Sequence, residues 1–246
     1  MNEATAHQRR TGPVVFPRLF ALPRTAIGAA YLVGYVLLDW ISFIYPYAPY
    51  GITPWNPPPG LSFVLVLVFG QAMIPYLFVA PFLADLIVRH LPLPWTLELA
   101  TTAIIGCVYS LALLLLLRPK TRFNVALSSL RDLFLLLVTA ATSAAIVAIS
   151  YVGIVTIAGF VSADDFILTC LRFWVGDVIG VAVITPFGLM VLTRKKLLKV
   201  SVETAAQFVT ILLAIFLVFG FPEEQQLQLF YILFLPIIWM AFRTGL

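Results

Sequence analysis

The chain has 246 residues, of which 62% are hydrophobic and only 11% are charged. Its mean hydropathy is +1.04, and soluble domains carry about 25% charged residues, so the composition excludes a soluble globular protein. The net charge of +4 comes from basic residues that lie between apolar runs, which points to membrane topology and gives no reason to expect a nucleic-acid partner. The sequence predicts an all-α, polytopic transmembrane helix bundle.

Residues 1–25 are polar and broken by prolines, and they lack the short apolar core of a signal peptide. We expect a cytoplasmic tail there and one membrane domain over residues 26–246. Hydropathy predicts about eight helices near the ~20 residues that cross a bilayer. They cover residues 26–44, 59–69, 74–88, 96–117, 133–152, 166–192, 204–221 and 227–242. The second and third are short and share a minimal turn at Gly70, which predicts a tight, partly re-entrant hairpin.

The basic residues flank these runs asymmetrically. With the N-terminus inside, the basic loop at 118–131, the basic loop at 194–199 and Arg243 all fall on the inner side. Only Arg89 is then placed outside, while Arg172 lies in or near the membrane. Because basic residues are retained on the cytoplasmic side, we expect both termini to be cytoplasmic.

The sixth run, 166–192, contains a carboxylate, Asp177. A carboxylate at the bilayer centre costs about 2.5–3.5 kcal/mol, so it has to face protein, water or an opposite charge. Arg172 lies about 140° around the helix from Asp177 and is no natural partner within the helix. Another helix, water, a ligand, or Trp174 and Thr185 through a bend could serve instead. Asp177 is therefore either a binding or switch residue or a structural residue that fixes helix packing.

Small residues and a proline surround Asp177. Gly176 and Gly180 have the Gly-x-x-x-Gly spacing that lets two backbones approach closely, and residues 139–145 of the fifth run are all small. We expect these two helices to contact each other. Pro186 removes an amide donor and predicts a kink one turn beyond Gly180. A kink beside a buried carboxylate suits a binding site or a bistable switch.

Asp39, Asp85 and Arg89 also lie in or near apolar runs. Asp85 and Arg89 are four residues apart, and the simplest interpretation is a pair that snorkels to the membrane interface. Asp39, in the first run, is a candidate site residue or a structural one. The proline- and aromatic-rich loop that contains Trp55 and Asn56 could close a pocket from outside or form an interfacial belt.

The sequence shows no chemistry of an enzyme. Cys107 and Cys170 both fall in apolar runs, where packing is their expected role. His90 is the only histidine near the membrane, so two axial haem ligands are missing. Metal-ligand spacing, a phosphate-binding glycine loop and a nucleophile elbow are also missing. We expect no catalytic residues, no metal and no cofactor.

Four motifs carry a resemblance to a known family: residues 55–60 (WNPPPG), residues 70–75 at the hairpin turn, Gly176-Asp177-x-x-Gly180 followed by Pro186, and residues 242–245 (FRTG). From about Ala26 onward the chain resembles the membrane-associated sensor domain of the first type, the MASE family of bacterial input domains. The resemblance implies a multi-pass sensory or docking module in the bacterial inner membrane. Such modules are usually fused to a cytoplasmic histidine kinase, diguanylate cyclase or cyclic-di-GMP phosphodiesterase.

Three functions stay open. The first is a non-enzymatic input module that detects a signal, or docks a membrane partner protein, and relays it to a cytoplasmic output domain. Because family members usually continue into output domains, we expect a chain that stops at Leu246 to be a fragment or a stand-alone module. The second function is an accessory or assembly subunit of a larger membrane complex. Whether the chain forms a homo-oligomer also stays open. A solute-binding or transport protein ranks third, since the few polar residues are not expected to converge on one level.

Overall fold

The computed structural model describes residues 22–43 and 55–193. Within these residues all regular structure is helical, as the composition predicts. The α-helices are α1 (Arg24–Ser42), α2 (Pro58–Phe69), α3 (Tyr76–Ile87), α4 (Trp95–Leu116), α5 (Leu130–Ile157) and α6 (Phe166–Thr193), with short 3-10 helices at Gln71–Met73 and Pro119–Thr121. The two helices predicted at 204–221 and 227–242, the basic loop at 194–199 and Arg243 lie outside the described residues.

Four of these helices, α1, α4, α5 and α6, are long and apolar enough to cross a membrane. At a rise of 1.5 Å per residue, even the 19 residues of α1 extend about 29 Å, close to the ~30 Å of a bilayer core. Their outer faces expose large apolar side chains, such as Trp40, Leu111, Ile149 and Phe187. Contact between such surfaces and lipid tails costs no free energy, whereas their exposure to water is unfavourable. The chain is an integral membrane protein.

The hairpin of α2 and α3 confirms the prediction of two short helices. Each helix has 12 residues and is therefore only about 18 Å long, too short to cross the bilayer. Gly70 makes the turn with a φ of +89°, a conformation that glycine adopts without strain. Most of α2 is buried, and it contacts α1, α4 and α6. An apolar helix enclosed in this way forms the centre of a bundle.

Two glycines let the start of α2 lie directly against the middle of α6. A Cβ added to Gly180 would overlap the carbonyl oxygen of Asn56, and one added to Gly60 would lie 2.6 Å from the carbonyl oxygen of Gly180. The Gly-x-x-x-Gly spacing therefore serves contact with α2, whereas the sequence suggested α5. The predicted contact between α5 and α6 does exist, and Trp174 supports it by donating to the carbonyl oxygen of Ala141 at 2.8 Å.

Helix α6 continues through its proline. It extends from Phe166 to Thr193 with Pro186 inside it, and since proline has no amide hydrogen, the carbonyl of Ala182 lacks its usual helical donor. The proline therefore weakens the helix without ending it, and a bend at this point stays a prediction. Thr185, the residue before the proline, donates a hydrogen bond of 3.0 Å to the carbonyl oxygen of Gly60. This bond is a second link between α6 and α2.

Candidate functional site

Asp177 is buried in the interior of the bundle and has two hydrogen-bond donors. It is the twelfth residue of α6, about 17 Å along the helix, and 1% of its surface is exposed. The side-chain amide of Asn56 donates to Oδ1 at 2.6 Å, and the hydroxyl of Tyr109 donates to Oδ2. We call these three residues the Asp177 cluster. It joins α6, α4 and the start of α2, and its two hydrogen bonds offset part of the cost of burying a carboxyl group.

The local sequence holds Asn56 in place. Asn56 comes just before the proline-rich start of α2, where prolines are tolerated because the first amides of a helix have no partner within it. Its backbone amide donates to the carbonyl oxygen of Gly176 at 3.1 Å, and its side chain reaches Asp177 on the same face of α6. Gly180 leaves the space for this approach. Two motifs that are far apart in the sequence, at 55–60 and 176–180, thus form one contact.

The prediction of site residues from the sequence missed Tyr109. This residue is buried on α4, where its ring packs edge-on against Phe63 at 5.7 Å between centroids. A buried tyrosine hydroxyl almost always has a partner, so a tyrosine in the middle of an apolar helix was a usable signal. Tyr109 takes the role that the sequence suggested for Trp174 and Thr185. Those two side chains instead bond to carbonyl oxygens of α5 and α2.

Arg89 forms a second polar cluster with two carboxylates. Its Nη1 donates to Asp85 Oδ1 at 3.0 Å and its Nη2 to Asp39 Oδ1 at 2.6 Å, and both aspartates are buried. We call these residues the Arg89 cluster. The predicted pair of Asp85 and Arg89 is present, but its interpretation as a pair that snorkels to the membrane interface is wrong, because the guanidinium faces the interior and links α1 to the end of α3. It also lies 5.8 Å from the ring centroid of Phe43, within cation–π range.

Glu98 is a third buried carboxyl group beside Arg89 and Asp85. It lies in the first turn of α4, close to both of these side chains, and 1% of its surface is exposed. Among the described residues, neither of its carboxyl oxygens makes a hydrogen bond of ordinary geometry, and the Asp85 carboxyl and the Leu93 backbone amide are the polar groups nearest to it. No local pattern distinguishes Glu98, apart from its being a charged residue at the edge of an apolar run.

A cavity of about 30 Å³ lies between the two clusters. Its lining includes the Asp177 cluster, the Arg89 cluster, Tyr35 and Tyr151. This volume suits one or two water molecules and is far below the 300–1,000 Å³ of typical ligand pockets. Asp39 Oδ2 and Asn56 Oδ1 have no hydrogen-bond partner within the described parts of the chain. The polar residues do converge, contrary to the expectation from the sequence, because all six described α-helices and two loop ends meet here.

The other predicted site residues lie elsewhere. Arg172 is exposed on α6 and does not line the cavity, and Trp55 is 37% exposed. Pro186 lines a separate groove with Leu133 and Met190 near the other end of α5. Across residues 22–43 and 55–193, no three metal-ligating side chains come together.

Removing the hydroxyl of Tyr109 tests whether the cluster stabilises the bundle. In Tyr109→Phe the ring contact with Phe63 remains while Asp177 loses one donor, so we expect a loss of about 1–3 kcal/mol in the free energy of unfolding. Tyr31→Phe is the matched control, because Tyr31 bonds only to the hydroxyl of Ser62, which also donates to a backbone carbonyl oxygen. Thermal unfolding of both variants in detergent measures the difference. Equal losses in the two variants would mean that the hydrogen bond from Tyr109 to Asp177 stabilises the bundle no more than the bond between Tyr31 and Ser62 does.

The fold and the site together define an integral membrane helix bundle with a polar cavity in its interior. The MASE1 family model matches residues 24–246 of this chain. The chain therefore belongs to the MASE1 family of membrane-associated sensor domains, as its four motifs indicated. No curated protein and no solved structure gives a significant match.

Proposed function

We propose that this protein is a non-enzymatic input module of the bacterial inner membrane that relays a signal to a cytoplasmic output domain, a histidine kinase or a cyclic-di-GMP enzyme. Membership of a sensor-domain family supports the general role. The observation that carries the proposal is the Asp177 cluster. Polar residues at this depth are costly and are usually functional, and these three connect three separate segments of the bundle.

The contact between α2 and α6 is suited to two discrete arrangements. Asn56 bonds to α6 through both its amide hydrogen and its side chain, at a point where Gly180 allows no larger residue. A stimulus that breaks the bond between Asn56 and Asp177 would free the start of α2 from α6. Because packed interfaces switch between states instead of deforming gradually, we expect α6 to shift as a unit and to pass the change on beyond Thr193.

Joining residues 1–246 to a cytoplasmic diguanylate cyclase domain tests this function. Asp177→Asn keeps the shape of the side chain but sets an amide group where both neighbours donate, so one of the two hydrogen bonds is lost. An allosteric coupling of about 1–3 kcal/mol corresponds to a change of roughly 5–150-fold. We therefore expect Asp177→Asn to change the cyclic-di-GMP level of cells at least about fivefold at equal membrane expression.

The control is Thr142→Val on α5, whose hydroxyl is exposed and bonds only within its own helix. It should leave the output of the fusion unchanged. Unchanged output from Asp177→Asn would remove Asp177 from the signalling mechanism and leave it a packing role. Copurification of a stoichiometric membrane partner, with no effect on the cyclase, would favour the accessory-subunit function instead.

A further inference from the structure

The interior of the bundle holds more acids than bases. Asp39, Asp85, Glu98 and Asp177 are all at least 95% buried, and among residues 22–43 and 55–193 Arg89 is the one cation in the cavity lining. If all four acids were ionised, this interior would carry an excess of three negative charges. Like charges at such short range in a poorly solvated interior do not all ionise together. At least one of these acids therefore has to be neutralised, and a bound proton is the simplest way to do so.

The hydrogen bonds show which acid lacks compensation. Asp39 and Asp85 each accept from Arg89, and Asp177 accepts from two donors. Glu98 is buried to the same degree, yet its oxygens accept no hydrogen bond of ordinary length and angle from the described residues, and its nearest polar groups are the Asp85 carboxyl and the Leu93 backbone amide. A buried carboxylate without donors costs several kcal/mol, and such a group normally becomes neutral by taking up a proton.

Each side chain around Glu98 leads to the same conclusion. Asp85 from α3 and Arg89 from the loop after it are its charged neighbours, Asp39 from α1 bonds to that arginine, and Tyr151 from α5 lies near all of them. Asp177 from α6 lines the adjoining cavity. The single positive charge is thus already shared by two aspartates before Glu98 is counted.

We propose that Glu98, next to Asp85 and Arg89, is a proton-binding site. Glu98 holds the proton on one carboxyl oxygen as a neutral acid. When the proton leaves as hydronium to the water at this end of the bundle, the O–H electron pair stays on Glu98, which becomes a carboxylate. The new negative charge repels Asp85 and attracts Arg89, which weakens the bond between Arg89 and Asp39.

The position of the cluster suits exchange with the aqueous phase. Asp39 is three residues before the end of α1, Asp85 is two residues before the end of α3, and Glu98 is in the first turn of α4, so all three lie at one end of the bundle. This is the end that charge asymmetry places outside the cell. The Arg89 side chain is 15% exposed, so the cluster is not fully closed off at this end. On its inner side the cluster meets the cavity that leads to Asp177.

Under the proposed function, the proton would be the signal that the module detects. Only the coupling of proton binding to the output domain rests on the proposed function. Proton binding itself is measured without any output domain. Infrared spectra of the full chain in lipid bilayers detect the carbonyl stretch of protonated carboxyl groups between about pH 5 and about pH 9. We expect a component that is present at neutral pH and lost as the pH rises, equivalent to one proton per chain.

The variants assign the component to its residue. Glu98→Gln, which is nearly isosteric, should lack it, while Glu98→Asp, which keeps an acid, should retain it at a shifted pH. Asp164→Asn, at an exposed acid, should retain it unchanged. A component that survives in Glu98→Gln, or that disappears only in Asp177→Asn, would overturn the proposal. A component that disappears when Na⁺ replaces choline in the buffer would overturn it too, by identifying Na⁺ as the bound cation.

The cyclase fusion separates the two ideas. Wild-type output should change with external pH and Glu98→Gln output should not. If the infrared component is present but output ignores pH, the proton site stands and its coupling to signalling fails. If the infrared component is absent, the proton site fails whatever the fusion does.

Discussion

Replacing Gly180 with alanine is expected to destabilise the bundle more than any other single methyl group added to its helices. The new Cβ would overlap the carbonyl oxygen of Asn56, and because that atom is backbone, rotation of a side chain cannot relieve the clash. The start of α2 has to move away from α6, which costs about 1–3 kcal/mol or more for overpacking. The hydrogen bond from Asn56 to Asp177 is lost with it. A lower midpoint of thermal unfolding in detergent measures this effect.

Gly153→Ala is the matched control for Gly180→Ala. Gly153 is also inside a long helix, α5, but a Cβ there has no heavy atom within 4 Å. Alanine is about 0.5–1 kcal/mol better than glycine in a helix interior, so this variant should be as stable as the wild type or slightly more stable. If Gly180→Ala were equally harmless, the close approach of α2 to α6 would be wrong.

Replacing Arg89 with glutamine should have the second large effect. The substitution removes the charge that Asp39 and Asp85 share and leaves two buried carboxyl groups without compensation. Breaking a buried ion pair by removing one partner typically costs about 3–5 kcal/mol. We expect a loss of that size in the free energy of unfolding, measured by denaturant or heat in detergent. Lys120→Gln, on an exposed turn, should change stability by less than about 0.5 kcal/mol.

A double variant distinguishes lost ion pairing from a general loss of packing. Asp39→Asn combined with Arg89→Gln removes one of the two uncompensated acids, so the double variant should be more stable than Arg89→Gln alone. Such a recovery is the sign of direct coupling between neighbouring residues. If the two losses simply add, Arg89 acts through its size and not through its charge.

Local features of the sequence were sufficient to predict where the helices lie. The apolar runs predicted the ends of α1, α4, α5 and α6 to within three residues, except for the C-terminal end of α5, which lies five residues further along the chain. The short runs around Gly70 predicted the hairpin. The cost of a carboxylate in the membrane was enough to single out Asp177, because it depends only on the apolar run around that residue. The motif at 176–180 also identified the right glycine, although its partner is α2.

The partners of the polar residues were beyond local features. Asn56 and Asp177 are 121 positions apart, Tyr109 and Asp177 are 68 apart, and Asp39 and Arg89 are 50 apart. Spacing along one helix therefore predicted the pair of Asp85 and Arg89 but placed it at the membrane interface. It predicted no partner for Asp39. Glu98 was overlooked because one acid changes the mean hydropathy of a long apolar run very little.

By itself, the sequence determined that this protein is a helical membrane protein, where its helices lie between residues 22 and 193, and that Asp177 needs a partner. Hydropathy and helix length settle these points because they are sums over neighbouring residues. Only the tertiary structure decided that Asn56 and Tyr109 are those partners, that Arg89 faces the interior, and that Glu98 is buried beside Asp85. These facts depend on which helix faces meet, and that is set by the packing of the whole bundle.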